Sequence, residues 1–354
     1  MEPVVIALAS NEPYFPGLCC AVVSALSHLD STREVDFKVL DGGLSPESRS
    51  ALSRLIEKFG ECRLEVVTVD PSVFSKATLG PGKSHMTYCR TLLPQVLNVP
   101  RLIYLDCDVL VFRDLAKLFD LELPPGKVLA AVPDSETPTL EDDSRAIAAA
   151  MGLPADGHYF NAGVVLLNLD ELRKQNFTKR SLEFFRDWKG HYRFWDQSAI
   201  NFLLHGRIAE LPEHWNRAAW RFDEQDDNDL DCVLHYTRSV PWLGGMPGPA
   251  QVLFERFAAD AGAPVNRQIA AFKQSRRQQF FRNVLAPVRA LAFPVLSLFY
   301  KIAGQKEKCA GYRKAAWYWF YYILNAPRRR RLHHRRAREI QGMRFKLSAC
   351  RSAT

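Results

Sequence analysis

Two aspartates separated by one residue are the strongest chemical signal in the sequence. Asp106 and Asp108 follow an apolar run at residues 102–105 and precede a second apolar run at residues 109–112. Two carboxylates with no basic residue near them in the sequence are costly in apolar surroundings. A divalent cation commonly neutralises such groups, and ligands bind outside the carboxyl ends of parallel strands. The pattern therefore predicts a metal site where a buried strand ends, and a solvated turn is the alternative.

Polar residues also occur at the ends of other predicted elements, where they could join the two aspartates. An amide and a glycine precede a predicted strand at residues 163–169, and a predicted helix at residues 196–204 opens with Asp196 as its cap. A short strand at residues 232–236 ends near a histidine, and a strand at residues 4–9 runs into a polar turn. The four segments are Phe160-Asn161-Ala162-Gly163, Trp195-Asp196-Gln197, Leu234-His235-Tyr236 and Ala9-Ser10-Asn11-Glu12.

Strand and helix patterns alternate through the first 270 residues. Further strands are predicted at residues 35–40, 64–69, 101–105 and 128–132, and helices at residues 18–29, 46–59, 85–97, 140–151 and 177–188. The second helix begins with Ser45, Pro46 and Glu47, which are a cap, a proline and an acid in the first turn. This alternation predicts an α/β fold with a doubly wound, mostly parallel sheet.

The distribution of charge divides the chain into two regions. Residues 1–270 carry 27 Lys/Arg and 37 Asp/Glu, whereas residues 271–354 carry 20 Lys/Arg and 2 Asp/Glu, and the net charge of all 354 residues is +8. The second region also contains an aromatic run at residues 317–322 and an arginine-rich cluster at residues 328–338. We therefore predict two regions. Residues 1–270 form an acidic domain that is large enough to contain a catalytic site, and residues 271–354 form a basic, aromatic region.

The basic region indicates attachment to a membrane surface. Trp and Tyr favour the headgroup zone of a bilayer, and each basic residue near an anionic leaflet contributes roughly 1 kcal/mol to binding. Nucleic-acid binding and a simple charged or partner-docking tail are the alternatives. Residues 1–270 are acidic and contain no pattern of a nucleic-acid-binding module, so a nucleic-acid partner is not expected.

Cysteine usage and the lack of targeting segments indicate the compartment. Eight cysteines are scattered without a CxxC spacing, which indicates reduced thiols rather than a zinc site. The N-terminal residues carry no positively charged start of a secretory signal, and no run of roughly 18 apolar residues predicts a spanning helix. The expected location is cytoplasmic, peripheral on the inner face of the cytoplasmic membrane.

Taken in order along the chain, these motifs resemble family 8 glycosyltransferases. That family includes bacterial lipopolysaccharide galactosyl- and glucosyltransferases and, more distantly, glycogenin. The resemblance covers residues 3–260 of this sequence. It implies the GT-A nucleotide-sugar-binding fold and a retaining hexosyltransferase. Such an enzyme would move the sugar of UDP-galactose or UDP-glucose to a saccharide or glycolipid acceptor of the lipopolysaccharide type.

The resemblance also implies a metal-ligand set. Asp106, Asp108 and His235 would bind Mn²⁺, with Mg²⁺ as the alternative, and Asp106 would also lie near the ribose. Two carboxylates and one imidazole suit Mn²⁺ better than Mg²⁺ or a structural zinc. The alternative for the histidine is a position in the core.

The resemblance implies that a second set of residues binds the nucleotide and the donor sugar. Ala9 and Asn11 fall in the turn that holds uracil in the family, and one extra residue there leaves open whether Ser10, Asn11 or Glu12 touches the base. Arg90 would lie beside the donor sugar, or it could instead pair with an acidic residue elsewhere in the domain at residues 1–270.

The resemblance places the remaining residues at the end of the site where the sugar would be transferred. Asn161, Ala162 and Asp196 would contact the sugar hydroxyls, although the amide could instead cap the turn before its strand. Gln197 would lie near the anomeric carbon on the face opposite the leaving group, and Asp134 would lie where the acceptor enters. An amide is a poor nucleophile, which favours same-face substitution over a double displacement through a carboxylate.

The sequence departs from the family pattern after the histidine. The family carries Lys-Pro-Trp there to contact the diphosphate, whereas this chain has Val240-Pro241-Trp242. Arg238 is a candidate replacement for the phosphate-binding lysine, although the two side chains are not equivalent. The missing lysine keeps a second hypothesis open, namely a catalytically weakened, membrane-docked protein that binds UDP-sugar.

Overall fold

The computed structural model describes residues 2–30, 32–60, 62–78, 84–224, 229–238, 240–243 and 248–274. The predicted membrane-binding segments, the aromatic run and the arginine-rich cluster, lie outside these residues. No helix within the described ranges is long and apolar enough to cross a membrane.

The described residues form ten strands and eleven α-helices. The strands are β1 (Val4–Ser10), β2 (Val35–Asp41), β3 (Cys62–Thr68), β4 (Arg101–Leu105), β5 (Val109–Val111), β6 (Leu129–Pro133), β7 (Phe160–Asn168), β8 (Ile208–Glu210), β9 (Arg217–Ala218) and β10 (Val233–His235). The helices are α1 (Phe15–His28), α2 (Pro46–Glu57), α3 (Leu93–Val96), α4 (Leu115–Phe119), α5 (Leu140–Ala150), α6 (Leu169–Lys174), α7 (Phe177–Asp187), α8 (Trp195–Leu203), α9 (Ala219–Glu224), α10 (Pro249–Ala261) and α11 (Ala263–Gln274).

Seven strands form the main sheet in the spatial order β3-β2-β1-β4-β7-β6-β8. Four of the six pairings are parallel, and only β7 runs antiparallel to its two neighbours, β4 and β6. The predicted doubly wound, mostly parallel α/β fold is therefore confirmed. From β1 the chain builds outward to β2 and β3 on one side and to β4 on the other. The crevice between β1 and β4 is a topological switch point, where ligands bind in folds of this type.

Continuous apolar runs account for the centre of this sheet. All seven residues of β1 are buried, and thirteen of the fourteen residues of α1 are buried between the sheet and the C-terminal helices α10 and α11. The helix predicted at residues 46–59 begins as expected, because the Ser45 side chain accepts a hydrogen bond from the Ser48 N–H at 3.1 Å and Pro46 opens the first turn.

A smaller sheet leads from the main sheet to the C-terminal part of the described chain. Its order is β5-β10-β9, with β10 antiparallel to β5 and parallel to β9. Helices α10 and α11 follow, and neither helix was predicted from the sequence. The signal was available, because Pro249 opens α10 and Leu253, Phe254 and Phe257 fall on one buried face.

Three predicted elements have different boundaries in the structure. Strand β7 begins at Phe160, so the amide of Asn161 lies inside the strand rather than before it. Helix α8 begins at Trp195 with Phe194 as its cap, so the prediction of Asp196 as the cap was wrong: that carboxylate binds other side chains. The helix predicted at residues 85–97 is a 3-10 helix followed by α3, because Pro94 lacks the N–H that a continuous α-helix would need there.

Candidate active site

The two aspartates lie in the turn that connects the main sheet to the small sheet. Asp106 follows the last residue of β4, and Asp108 precedes the first residue of β5. The Asp106 N–H donates to the Gly163 carbonyl at 2.8 Å, and the Tyr236 N–H donates to the Asp108 carbonyl at 2.9 Å. The turn is therefore tied to β7 on one side and to the chain just after β10 on the other.

Strand register brings the predicted histidine to the aspartates. His235 is the last residue of β10 and pairs with Val109 of β5. Its Nε2 lies 3.3 Å from Asp108 Oδ1 and 3.9 Å from Asp106 Oδ2. One potential ligand atom from each of the three side chains lies within 4.8 Å of the others. The histidine is buried and the two carboxylates are partly exposed, so the cluster opens to solvent on its acidic side.

The chemistry of this cluster fits a divalent cation. Burial is the largest single influence on the pKa of His235 and lowers it, but the negative charge of Asp108, its hydrogen bond with the ring and the negative charge of Asp106 together outweigh burial, and the pKa is raised. The imidazole thus stabilises part of the local negative charge, and a cation of higher charge would replace its proton. Two carboxylates with one imidazole form a donor set suited to Mn²⁺ or Mg²⁺.

A buried arginine connects the cluster to α8. Arg90 Nη2 binds Asp106 Oδ1 at 2.7 Å, its Nη1 donates to the Ala162 carbonyl, and its Nε pairs with Asp196 Oδ2. Thr87 Oγ1 donates to the other oxygen of Asp196 at 3.0 Å. Arg90 therefore pairs with acidic residues of the domain, Asp106 and Asp196, which was the alternative predicted for it. Because the arginine uses only Oδ1 of Asp106, the Oδ2 atom remains directed at the histidine.

This environment raises the pKa of Asp196. Its side chain is buried, which raises the pKa of the carboxyl to about 6, although the positive charge of Arg90 partly opposes the shift. The helix start that carries it is backbone-strained, because Trp195 adopts φ +53°. The Gln197 N–H donates to the Phe194 carbonyl at 3.0 Å, which turns Asp196 and Gln197 toward the same pocket.

A chain of side-chain amides extends from the histidine across the floor of the pocket. Asn216 lies 2.9 Å from His235 Nδ1 and donates to Asn161 Oδ1 at 2.8 Å. The Asn161 amide donates to Asp134 Oδ2 at 3.2 Å, and the Gln197 amide donates to the same oxygen at 3.1 Å. The metal-ligand candidate and the residues predicted at the reacting end therefore belong to one hydrogen-bonded network.

Gln197 and Asn161 have little hydrogen-bonding capacity left for a ligand. Gln197 Oε1 accepts from the Ala162 N–H at 3.0 Å, and Asn161 Oδ1 accepts from the Gly163 N–H at 2.9 Å in addition to Asn216. The single oxygen of an amide side chain offers two lone pairs, and both lone pairs of Asn161 Oδ1 are used, so this oxygen is saturated. Of the two N–H groups of the Asn161 amide, one donates to Asp134 and one remains for a ligand.

The end of β1 and the turn after it contain Ser10, Asn11 and Glu12, which the sequence left as alternative ligand contacts, and their side chains have different partners. The Glu12 carboxylate accepts from the Ser45 N–H at 2.8 Å and from Ser48 Oγ at 2.8 Å, which ties it to the start of α2. Asn11 Nδ2 donates to Ser84 Oγ at 2.9 Å, while its buried Oδ1 accepts no hydrogen bond from the described residues. Among the side-chain oxygens of Ser10, Asn11 and Glu12, only Asn11 Oδ1 has no hydrogen-bond partner within the described residues.

Arg238 is engaged away from the aspartates. Its Nη2 pairs with Glu136 Oε1 at 2.6 Å, and its guanidinium lies 3.6 Å from the centre of the Trp220 ring. The salt bridge joins the chain after β10 to the segment after β6. The predicted phosphate-binding role would require this arginine to exchange Glu136 for the ligand.

One polar pocket contains most of the predicted residues. Among the described residues, its lining does not include Ala9, Asn11, Ala162 or Arg238. Glu136, Phe194 and Trp195 extend the pocket beyond the cluster. The predicted residues that line it are Arg90, Asp106, Asp108, Asp134, Asn161, Asp196, Gln197 and His235.

Sequence reasoning missed two residues of this site. Asn216 lies 19 residues before His235, and only the parallel pairing of β9 with β10 brings the two together. No local signal marks it, because an asparagine after a short turn is ordinary. Thr87 was within reach of prediction, since it lies one helical turn before Arg90 and shares its partner Asp196.

The comparison with known proteins agrees with this architecture. The family model of glycosyl transferase family 8 matches residues 5–246, which is more than half of the sequence. The chain therefore belongs to glycosyl transferase family 8 and is a glycosyltransferase, and the predicted resemblance is confirmed.

Two curated relatives illustrate the similarity. General stress protein A of Bacillus subtilis (strain 168) is 30% identical over 216 residues, which are 60% of this chain and 72% of that protein. The lipopolysaccharide 1,2-glucosyltransferase of Escherichia coli (strain K12) is 31% identical over 157 residues, which are 41% of this chain and 45% of that protein.

A solved structure extends the comparison to the fold. The galactosyltransferase LgtC, crystallised in complex with donor and acceptor sugar analogs, superimposes with a TM-score of 0.63 at 26% sequence identity. The superposition covers 73% of this chain and 96% of LgtC. The GT-A fold predicted from the sequence is thereby confirmed.

Proposed function

We propose that this glycosyltransferase is a retaining hexosyltransferase that moves galactose or glucose from a UDP-sugar to a saccharide acceptor, in the manner of lipopolysaccharide biosynthesis. The observation that carries the proposal is the cluster of Asp106, Asp108 and His235 at the end of β4, beside the polar pocket. The named relatives, a lipopolysaccharide glucosyltransferase and a galactosyltransferase bound to sugar analogs, support the hexose and the acceptor class.

Asp106, Asp108 and His235 would hold Mn²⁺, or Mg²⁺ in its place. A divalent cation at such a site stabilises the negative charge that develops on a departing diphosphate. The buried Oδ1 of Asn11 would accept from the N–H of the uracil ring, and the backbone of Ala9 would line the same turn. Arg90 fixes Asp106 and Asp196 against each other, which positions the ribose end and the sugar end of the donor.

The remaining network residues would orient the sugar. Asn161 has one free N–H for a hydroxyl, and the partly exposed Gln197 sits between Ala162 and Asp134. The bound amide of Gln197 is a poor nucleophile, so the proposal favours substitution on one face of the sugar. The departing phosphate would then accept the proton of the acceptor hydroxyl, and the protein would act through positioning and electrostatics.

The acceptor is proposed to enter beside Asp134 and to be carried on a lipid. The basic, aromatic region at residues 271–354 would hold the enzyme at an anionic membrane, peripherally on the inner face of the cytoplasmic membrane. No nucleic-acid partner is proposed, since the body at residues 1–270 is acidic.

Hydrolysis of a panel of UDP-sugars, with and without Mn²⁺, tests the proposal. We expect cation-dependent release of UDP from UDP-galactose or UDP-glucose. Release that is unchanged by a chelator would contradict the metal site, and a preference for a donor outside the hexoses would contradict the substrate class.

A second candidate function is favoured by the residues that follow the histidine. Val240 stands where the family pattern has a lysine, and Arg238 is paired with Glu136. The chain would then be a catalytically weakened protein that binds UDP-sugar at the membrane. UDP binding by calorimetry without any detectable hydrolysis or transfer distinguishes this candidate from the enzyme.

A further inference from the structure

His235 presents its two ring nitrogens to different partners. Nε2 faces the carboxylates of Asp106 and Asp108, whereas Nδ1 lies 2.9 Å from Asn216 Oδ1. A neutral imidazole carries one proton, so one nitrogen donates and the other offers a lone pair. Which nitrogen offers the lone pair decides whether the ring can bind a cation on the side of the aspartates.

The orientation of Asn216 follows from its neighbours. Asn161 Oδ1 accepts from the backbone N–H of Gly163, a group that can only donate, and Asn161 Nδ2 donates to the carboxylate of Asp134. The orientation of the Asn161 amide is therefore fixed at both ends. Since its oxygen also faces Asn216, that contact needs the Asn216 NH₂ group, which donates at 2.8 Å. The Asn216 oxygen is then the atom directed at His235.

The backbone holds Asn216 in this position. Asn216 ends the 3-10 helix at Glu213–Trp215 and directly precedes β9. In the parallel pairing of β9 with β10, Ala218 lies beside His235. The side chain is also largely buried, so it has little freedom to turn away.

We infer that Asn216 is a positioning residue that holds His235 in the Nδ1–H tautomer and so directs the Nε2 lone pair at Asp106 and Asp108. Asp108 Oδ1, 3.3 Å from Nε2, is the competing acceptor for the ring proton, and the shorter contact with Asn216, at 2.9 Å, takes precedence over it. The cation-binding consequence rests on the proposed function, whereas the tautomer does not. A neutral amide gives this orientation without placing a further negative charge in the acidic cluster. Partners that orient a ligating histidine typically change metal affinity by about 10- to 100-fold when they are removed.

The first test reads the tautomer in the protein without metal. Histidine-selective ¹⁵N labelling and long-range ¹⁵N–¹H correlation spectra, recorded at a pH where the ring is neutral, report which nitrogen carries the proton. His235→Gln assigns the signal. We expect the Nδ1–H tautomer in the parent and a loss of this preference in Asn216→Ala. Asn216→Asp retains an acceptor oxygen, so it should keep the Nδ1–H tautomer. His28, whose Nδ1 faces the Ser24 carbonyl at 2.9 Å, is an internal reference that should stay Nδ1–H throughout.

The second test measures cation affinity without substrate. Titration of the full chain with Mn²⁺, followed by the electron paramagnetic resonance signal of the free ion, should show affinity about 10- to 100-fold weaker in Asn216→Ala than in the parent. An Nε2–H tautomer in the parent, or an unchanged tautomer in Asn216→Ala, would overturn the inference. If Asn216→Ala does not fold, the parent spectrum and Asn216→Asp still decide the tautomer. Failure of the parent to bind Mn²⁺ would count against the proposed function and leave the tautomer result standing.

Discussion

Gly163 of β7 lies so close to His235 that no side chain fits between them. A Cβ atom at position 163 would come nearer than 3.0 Å to Cε1 and Nδ1 of the imidazole and would lie 3.0 Å from Asp106 Oδ2. Gly163 is not among the glycines with positive φ, so the need is for space rather than for a left-handed backbone. The glycine thus allows β7, the aspartate turn and β10 to meet at one point.

Gly163→Ala should therefore disturb the proposed cation site formed by Asp106, Asp108 and His235. The added methyl group has to push the imidazole or the aspartate aside, and such overpacking costs about 1–3 kcal/mol in the free energy of unfolding. We expect Mn²⁺ affinity to fall at least about 10-fold, as it does when the support of a ligating histidine is lost. Calorimetric titration with Mn²⁺ and urea denaturation measure the two effects.

Gly157→Ala is the matched control for this variant. A Cβ at position 157 would lie 2.6 Å from Cε1 of His205, a histidine outside the cluster. This control should lose stability while keeping its Mn²⁺ affinity. Equal Mn²⁺ affinity in Gly163→Ala and the parent would show that the close approach of Gly163 and His235 has no bearing on the cation.

Asp108→Asn should abolish cation-dependent turnover while the protein stays folded. The amide preserves the shape of the carboxylate but removes its charge, and hard divalent cations prefer charged oxygen ligands. UDP-sugar hydrolysis over a range of Mn²⁺ concentrations measures the effect, and circular dichroism checks the fold. Asp187→Asn, an exposed carboxylate paired with Arg186, is the control that should retain activity. Parent-level turnover of Asp108→Asn at saturating Mn²⁺ is incompatible with the assigned ligand.

Asp196 should give the stability of the metal-free protein a distinct pH dependence. Its pKa is about 6 in the folded protein against an ordinary 3.8, so the folded state binds more protons between these values. The contribution of Asp196 to the free energy of unfolding is therefore greatest below pH 4, falls as the pH rises to about 6, and is constant above that. The shift corresponds to roughly 3 kcal/mol, at 1.36 kcal/mol per pKa unit.

Urea denaturation of the parent and of Asp196→Asn from pH 4 to pH 7 isolates this contribution. The stability difference, parent minus variant, should decline by roughly 2.5 kcal/mol across the range, because the amide does not titrate. Asp170→Asn, which changes an exposed carboxylate, serves as the control and should show no such trend. Parallel stability curves for the parent and Asp196→Asn would mean that the buried carboxyl does not titrate near pH 6.

Removal of the basic region should abolish membrane attachment without abolishing the hydrolysis of UDP-sugar. Because α11 runs to Gln274, across the predicted boundary at residue 270, the truncation is best placed after that residue. Residues 275–354 carry 19 Lys/Arg and 2 Asp/Glu, so the net charge changes from +8 to −9. We expect UDP-sugar hydrolysis to survive and binding to anionic vesicles to be lost.

Vesicle co-sedimentation at low and high salt measures this attachment. Binding of the full chain should weaken as salt rises, because its electrostatic part is screened, while the aromatic part persists. Vesicles of neutral lipid are the control and should bind the full chain less. Sedimentation of the truncated protein to the same extent as the full chain would exclude the tail as the anchor.

The sequence alone was sufficient for the fold class and for placing the two aspartates at the end of a buried strand. Continuous apolar strands alternating with helices predict a parallel sheet, because such strands are buried on both faces. Asp106 and Asp108 follow one of these strands, and strand ends are where a parallel sheet binds ligands. Both inferences use spacing along the chain, which local structure preserves.

Only the tertiary structure decided what surrounds these residues. The sequence indicated two carboxylates without a basic partner, whereas the fold brings Arg90 from a 3-10 helix to pair with Asp106 and Asp196. Strand pairing places Asn216 against His235, and close packing of β7 makes Gly163 necessary. Such contacts depend on which strands become neighbours and in what register, and residues far apart in the sequence carry no local sign of that choice.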